Sequence, residues 1–155
     1  MMIFVPREES HDEPRVALVP ETAAKLARKG VSLTVEAGLG HACGYDDKAY
    51  EDAGAAVASD RDQAIAEADM VLRLNKPPLD EVAALKKGAI HISLLDPFNE
   101  TGLVDALIAQ DVSVIAMDMI PRTTLAQKMD ALSSQANLAG YVAVVLAAER
   151  LDQVL

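Results

Sequence analysis

Short runs of β-branched and aliphatic residues return at intervals between residues 2 and 117, with helix-like stretches between them, and this alternation constrains the fold more than any other feature. The runs are Met2 to Val5, Ser32 to Glu36, Ala55 to Val57, Asp69 to Leu74, Ala89 to Ser93 and Val112 to Met117. They are continuous rather than alternating in polarity, which is the pattern of strands covered on both faces in a parallel sheet.

The intervening segments carry helix ends. Pro20 sits where a first-turn proline belongs, Glu21 follows at the positive end of the dipole, and Lys25, Arg28, Lys29 and Gly30 close the same helix. Ser59 with Asp62 reads as a capping box before Ala64, Ile65 and Ala68. Pro77 and Pro78 read as the start of a helix ending at Lys86, Lys87 and Gly88, and Asn99 as the cap of a helix carrying Leu103, Val104, Leu107 and Ile108. The alternation predicts an α/β fold: an open, mostly parallel sheet with helices on both faces, flavodoxin-like or Rossmann-like. Ligands in such sheets bind at the carboxyl ends of the strands.

Composition narrows the partners. With 51% hydrophobic but only 3% aromatic residues, the core must be aliphatic and Ala-rich, and rings for stacking single-stranded nucleic acid are lacking. The balance of 14 basic against 24 acidic residues, net charge -10, repels a phosphate backbone or an anionic membrane, so nucleic acid is excluded as a partner. A length of 155 residues predicts one domain and leaves no room for a complete two-domain dehydrogenase. Cys43 is alone, no run reaches 18 consecutive apolar residues, and Pro6, Arg7, Glu8 and Glu9 arrive before a signal-peptide core could form; the expectation is a cytoplasmic chain without a transmembrane segment.

The C-terminal part follows another pattern. After Pro121 comes a polar stretch, then apolar residues at Leu132, Ala136, Ala139, Ala143 and Leu146, spaced four and three. The expected division is residues 1–130 as an α/β lobe and 131–155 as a long helix. That helix runs to Leu155 with no glycine or proline to stop it after Tyr141, so the pattern reads as a truncated piece leading toward a further lobe.

Few motifs carry chemistry. In the only glycine-rich turn, Gly38-Leu39-Gly40-His41-Ala42-Cys43-Gly44, the third glycine comes one residue late for a GxGxxG fingerprint and no helix opens inside it, so a plain loop is the reading. His11, His41, His91 and Cys43 never fall at metal-ligand spacing, and His91, inside a strand, is expected to be a hydrogen-bonded structural histidine; no metal is assigned. Asp46, Asp47, Glu51 and Asp52 lack the order of a calcium loop. Arg15, after the first strand, and Lys76, after Arg73-Leu74-Asn75, place two cations at carboxyl ends of one sheet, a candidate anion site. Arg122, Gln127, Asp130, Ser133 and Asn137 form a polar cluster within a stretch otherwise rich in Ala and Leu; capping by Asp130 or Ser133 would explain one of these residues but not the set.

The segments PREESHDEPRVALVPET, VEAGLGHACGYDDKAYEDAG, RLNKPPLDE and AMDMIPRTTLAQKMDALSSQANLAGY, in this order, resemble the alpha subunit of proton-translocating NAD(P) transhydrogenase, whose N-terminal half is shared with alanine dehydrogenase. The resemblance implies the first lobe of an NAD(H)-binding component, followed in the full subunit by a Rossmann lobe with the glycine fingerprint. It implies that Arg122, Gln127, Asp130 and Ser133 contact the nicotinamide end of NAD(H). In that reading Arg122 and Ser133 donate to carboxamide or ribose oxygens, Asp130 holds Arg122 or accepts from the amide, and Gln127 reaches toward NADP on a partner subunit. Gln127 and Asp130 are the residues assigned to catalysis, by positioning two rings for direct hydride transfer rather than by acid–base chemistry. Implied partners are the remainder of the alpha subunit, the membrane and NADP-binding components, and a second copy of the chain, with the lobe held on the cytoplasmic side of the inner membrane through them.

Two departures stand out: Leu125 replaces a frequent arginine, and Val142 replaces another. Alanine dehydrogenases use the residues matching Arg15 and Lys76 for a substrate carboxylate and a histidine at the position of Asp96, so the carboxylate at Asp96 argues against oxidative deamination. The alternatives are an alanine-dehydrogenase-like substrate lobe and a non-enzymatic interaction module using the apolar helix stripe.

Overall fold

The computed structural model describes residues 1–10 and 13–151, which divide into two compact units, Met1–Ala116 and Met117–Leu155. In the first, the six aliphatic runs are strands β1 (Met2–Val5), β2 (Ser32–Glu36), β3 (Ala56–Ala58), β4 (Met70–Leu72), β5 (Ile90–Ser93) and β6 (Ser113–Ala116). They pair in the order β3-β2-β1-β4-β5-β6, and every pairing is parallel. The order turns outward in both directions from β1 and β4, the switch point at which such sheets open a crevice.

Alternate residues of each strand feed opposite faces, which is why the runs are continuous. Ile3 and Val5 join Leu33, Val35 and Tyr50 on one side, whereas Phe4 joins Val71, Ile65 and Leu107 on the other. Helices α1 (Pro20–Ala27) and α2 (Asp47–Asp52) contribute Ala23 and Tyr50 to the first core; α3 (Arg61–Glu67) and α4 (Thr101–Ala109) contribute Ile65, Leu103 and Leu107 to the second. The expected Rossmann-like class therefore holds. α1 starts on Pro20, carries the Glu21–Lys25 ion pair at 2.7 Å, and is followed by Gly30 at φ 80°.

Three local readings need correction. The cap of α3 is Asp60, whose carboxylate accepts from the Gln63 N–H at 3.0 Å, not Ser59. Only one short 3₁₀ turn, Glu81–Ala84, forms where a helix from Pro77 to Gly88 was expected, because Glu81 is drawn inward by two arginines. Asn99 does not cap α4; its amide donates to Asp96 at 2.9 Å, and Glu100 holds the cap position without a side-chain bond.

The second unit has 3₁₀ turns at Met117–Met119 and Ala126–Lys128, then helix α5 (Ala131–Arg150). None of the residues of α5 is buried. Leu151 caps it, and the expected continuation over Asp152, Gln153, Val154 and Leu155 lies outside the described residues. By length and composition α5 could cross a membrane, contrary to the expectation of no such segment: Ser133, Ser134 and Asn137 interrupt its apolar run without outweighing its aliphatic residues.

Candidate functional site

Pro121 cannot continue a hydrogen-bonded turn, and the chain beyond it folds on itself through Thr123. The Thr123 carbonyl accepts from the Gln127 N–H at 2.9 Å and its hydroxyl from the Ala126 N–H at 3.3 Å, which brings Gln127 back toward Arg122. Asp130 then caps α5: one carboxylate oxygen accepts from the Ser133 N–H at 2.9 Å, the other from the Ser133 hydroxyl at 2.6 Å. These bonds, the hydroxyl's first and then the N–H, hold the Asp130 carboxyl below the usual range, with a smaller contribution from the charge of Arg122.

Arg122, Thr123, Thr124, Gln127, Asp130 and Ser133 line one cavity of about 220 Å³. Four of the residues singled out in the sequence are thus brought together. Their bonds to one another decide which atoms are left for a ligand. The Ser133 hydroxyl spends its proton on Asp130 and offers a ligand only lone pairs, and among the described residues no ion pair closes between Asp130 and Arg122. The side chains of Arg122 and Gln127 make no hydrogen bond among the described residues and are free to meet a ligand.

Arg15 and Lys76, in the first unit, are each already engaged. Arg15 forms a two-pronged bond with Glu13, Nε to Oε1 at 2.7 Å and Nη2 to Oε2 at 2.6 Å, which raises its own pKa and lowers that of Glu13. Lys76 pairs with Glu100, and this bond raises its pKa. Lys76 and Glu100 line a cavity of about 470 Å³ with Pro77, Pro78 and Thr101, and Arg15 is not part of its wall. His11 lies outside the described residues, and His41 is exposed.

Sequence reasoning missed an ion-pair network at the carboxyl ends of the central strands. Glu36, closing β2, accepts from Arg7 Nε at 3.0 Å and from Arg61 Nη1 at 2.7 Å. Glu81 accepts from Arg61 Nη2 and from Arg73 Nη1, both at 2.6 Å. Glu36 and Arg73 are buried, at the strand ends where a sheet of this order opens its crevice. The detectable signal was a charge at the carboxyl end of each of two buried runs, Glu36 in SLTVE and Arg73 in DMVLRL.

The glycine-rich turn also has a structural purpose. A Cβ on Gly40 would come within 2.6 Å of Tyr45 Cβ and 2.9 Å of both the Tyr45 carbonyl oxygen and Tyr50 Cε2, so the glycine lets the Tyr45 backbone and the Tyr50 ring pack against it. Tyr50 is fully buried, donates to the Leu18 carbonyl at 2.8 Å, and has its pKa pushed up to about 12, chiefly by burial.

Residues 4–139 match the family model described as alanine dehydrogenase/PNT, N-terminal domain. The chain belongs to this family. Within the alanine dehydrogenase/PNT group it is 40% identical over 150 residues to the first part of the NAD(P) transhydrogenase alpha subunit of Rhodospirillum rubrum, covering 94% of this chain and 39% of that one. Alanine dehydrogenase of Bacillus subtilis is more distant, 31% identical over 153 residues, with 99% of this chain and 39% of that one covered. The solved transhydrogenase of Sinorhizobium meliloti superposes on 100% of the chain and 46% of its own length with a TM-score of 0.90 at 37% identity. The chain spans about two-fifths or less of the curated transhydrogenase relatives it matches.

Proposed function

We propose that this chain acts as the first lobe of the NAD(H)-binding component of a proton-translocating NAD(P) transhydrogenase, and that Arg122, Gln127, Asp130 and Ser133 face the nicotinamide end of the nucleotide. The observation that carries this reading is the cavity these four residues share, in a chain 40% identical to a transhydrogenase alpha subunit. The donor set suits the group. A carboxamide presents one acceptor and two donors, and ribose hydroxyls do both; Arg122 donates, Gln127 donates and accepts, and Asp130 and Ser133 accept. No aromatic ring lines the cavity, so orientation rests on hydrogen bonds.

The nicotinamide supplies the hydride; the chain's own residues bind and orient. Arg122 anchors an oxygen, Asp130 and Ser133 form a rigid acceptor pair at the α5 terminus, and Gln127, uncommitted on both faces of its amide, reaches toward NADP held by a partner. With no glycine fingerprint and with ion pairs filling the ends of the central strands, the pyrophosphate of NAD is assigned to another lobe. The partners are then the remainder of the alpha subunit, the membrane and NADP-binding components and a second copy, and the lobe sits at the cytoplasmic face through them. An alanine-dehydrogenase role is less well supported, since Arg15 and Lys76 each hold a carboxylate of the chain itself and Asp96 stands where a histidine would work.

The test is a chimera in which this chain replaces the matching 150 residues of the Rhodospirillum rubrum relative, assayed with its partners for hydride transfer from NADH to NADP. Activity that Gln127→Ala cuts at least tenfold supports the proposal. Undiminished activity in that variant removes Gln127 from the site, and oxidation of alanine by the chimera would favour the other reading.

A further inference from the structure

Three polar side chains are buried in the first unit along β4 and β5, and of the three only Arg73 also joins the strand-end ion pairs. The β4–β5 register pairs Val71 with His91 and Leu72 with Ile92, so Arg73 falls beside Ser93 one step further on. Alternate residues share a face, so Val71, Arg73, His91 and Ser93 all lie on the side of the sheet that packs Phe4, Leu103 and Leu107. Arg73 is 3% exposed, and His91 and Ser93 are 0% exposed. His91 was expected to be a hydrogen-bonded structural histidine, yet both of its ring nitrogens, together with Arg73 Nε and Ser93 Oγ, meet no protein donor or acceptor among the described residues. Four buried polar atoms without partners at neighbouring positions of two paired strands take up a large share of the stability of a domain of this size, and a bound species that hydrogen-bonds to them would recover it.

The chemistry of the atoms selects that species. A metal ion is excluded by the guanidinium of Arg73. An anion needs surplus positive charge, but the arginines of the adjoining network, Arg7, Arg61 and Arg73, are matched by Glu9, Glu36 and Glu81. Nor can an anion donate to the bare nitrogen of a neutral imidazole, and His91 is kept neutral by burial first and by the charge of Arg73 second. Water accepts from a guanidinium N–H while donating to an imidazole nitrogen or a hydroxyl oxygen.

We propose that Arg73, His91 and Ser93 form an internal water site that joins β4 to β5. Through Arg73 the water is linked to Glu81, Arg61 and Glu36, so the site extends the ion-pair network from the strand ends into the core.

Crystals of the 155-residue chain grown in bromide test the assignment directly. A peak about 2.7–3.2 Å from Arg73 Nε and from His91 or Ser93, without bromide anomalous signal, is the expected result. Bromide signal there, or a direct Ser93–His91 hydrogen bond with no peak, overturns it. Urea denaturation of Ser93→Ala gives an independent answer. If Ser93 bonds the water, its loss lowers the folding equilibrium constant about tenfold; if the hydroxyl is an orphan, its removal leaves the constant unchanged or raises it, and the proposal fails.

Discussion

Acidification should destabilise this fold through one identified group. His91 is fully buried, and its pKa is pushed down to about 4 from the 6.5 of a free imidazole, by desolvation first and by the nearby charge of Arg73 second. Because the folded value is the depressed one, the unfolded chain binds the proton first. Stability is therefore complete above about pH 7 and is lost as the pH falls through the interval from 6.5 toward 4. The full difference corresponds to roughly 3 kcal/mol, of which about 2 kcal/mol is already lost at pH 5. Urea denaturation at about pH 7.5 and about pH 5 measures this for the chain and for His91→Gln, which cannot take up the proton. His41→Gln serves as a control at an exposed position. Wild type and the His41 variant should lose stability on acidification, and the His91 variant should lose much less. An equal loss in the His91 variant would refute the reasoning, because the proton uptake would then lie elsewhere.

Two further substitutions probe the scaffold. Glu81→Ala strips the carboxylate from Arg73, whose side chain is 1% exposed, and should cost about 3–5 kcal/mol in a denaturant titration, an isolated buried charge being far worse than a lost surface pair. Gly40→Ala drives a methyl group into Tyr45 and Tyr50 and should cost about 1–3 kcal/mol; a neutral result would mean that the Tyr45 backbone and the Tyr50 ring can both move aside.

Strands were the most legible part of the fold, since burial on both faces requires runs such as Met2–Val5 to be apolar throughout. Helix ends were less so. Pro77, Pro78, Lys86, Lys87 and Gly88 all resemble helix punctuation, yet tertiary pairing of Glu81 with Arg61 and Arg73 overrides them. Local signals cannot report a pull from residues 8 and 20 positions away. The loop cluster was visible because polar residues crowd a small-residue stretch, but its internal order was not. Asp130 is at once the cap and a cavity wall, and its bond to Ser133 decides which atoms remain for a ligand. The orphaned atoms of Arg73, His91 and Ser93 depend on parallel register, which no single strand discloses.

The central claim is that the loop cavity faces the nicotinamide end of NAD(H). Arg122→Ala is the cleanest probe, because Arg122 makes no hydrogen bond among the described residues, whereas changing Asp130 also removes the cap of α5. Calorimetric titration of NADH into the Rhodospirillum rubrum chimera should give a dissociation constant that Arg122→Ala raises about tenfold, the cost of one charge-assisted hydrogen bond. An unchanged constant in a variant that still folds would contradict the account and take the cavity out of the nucleotide site.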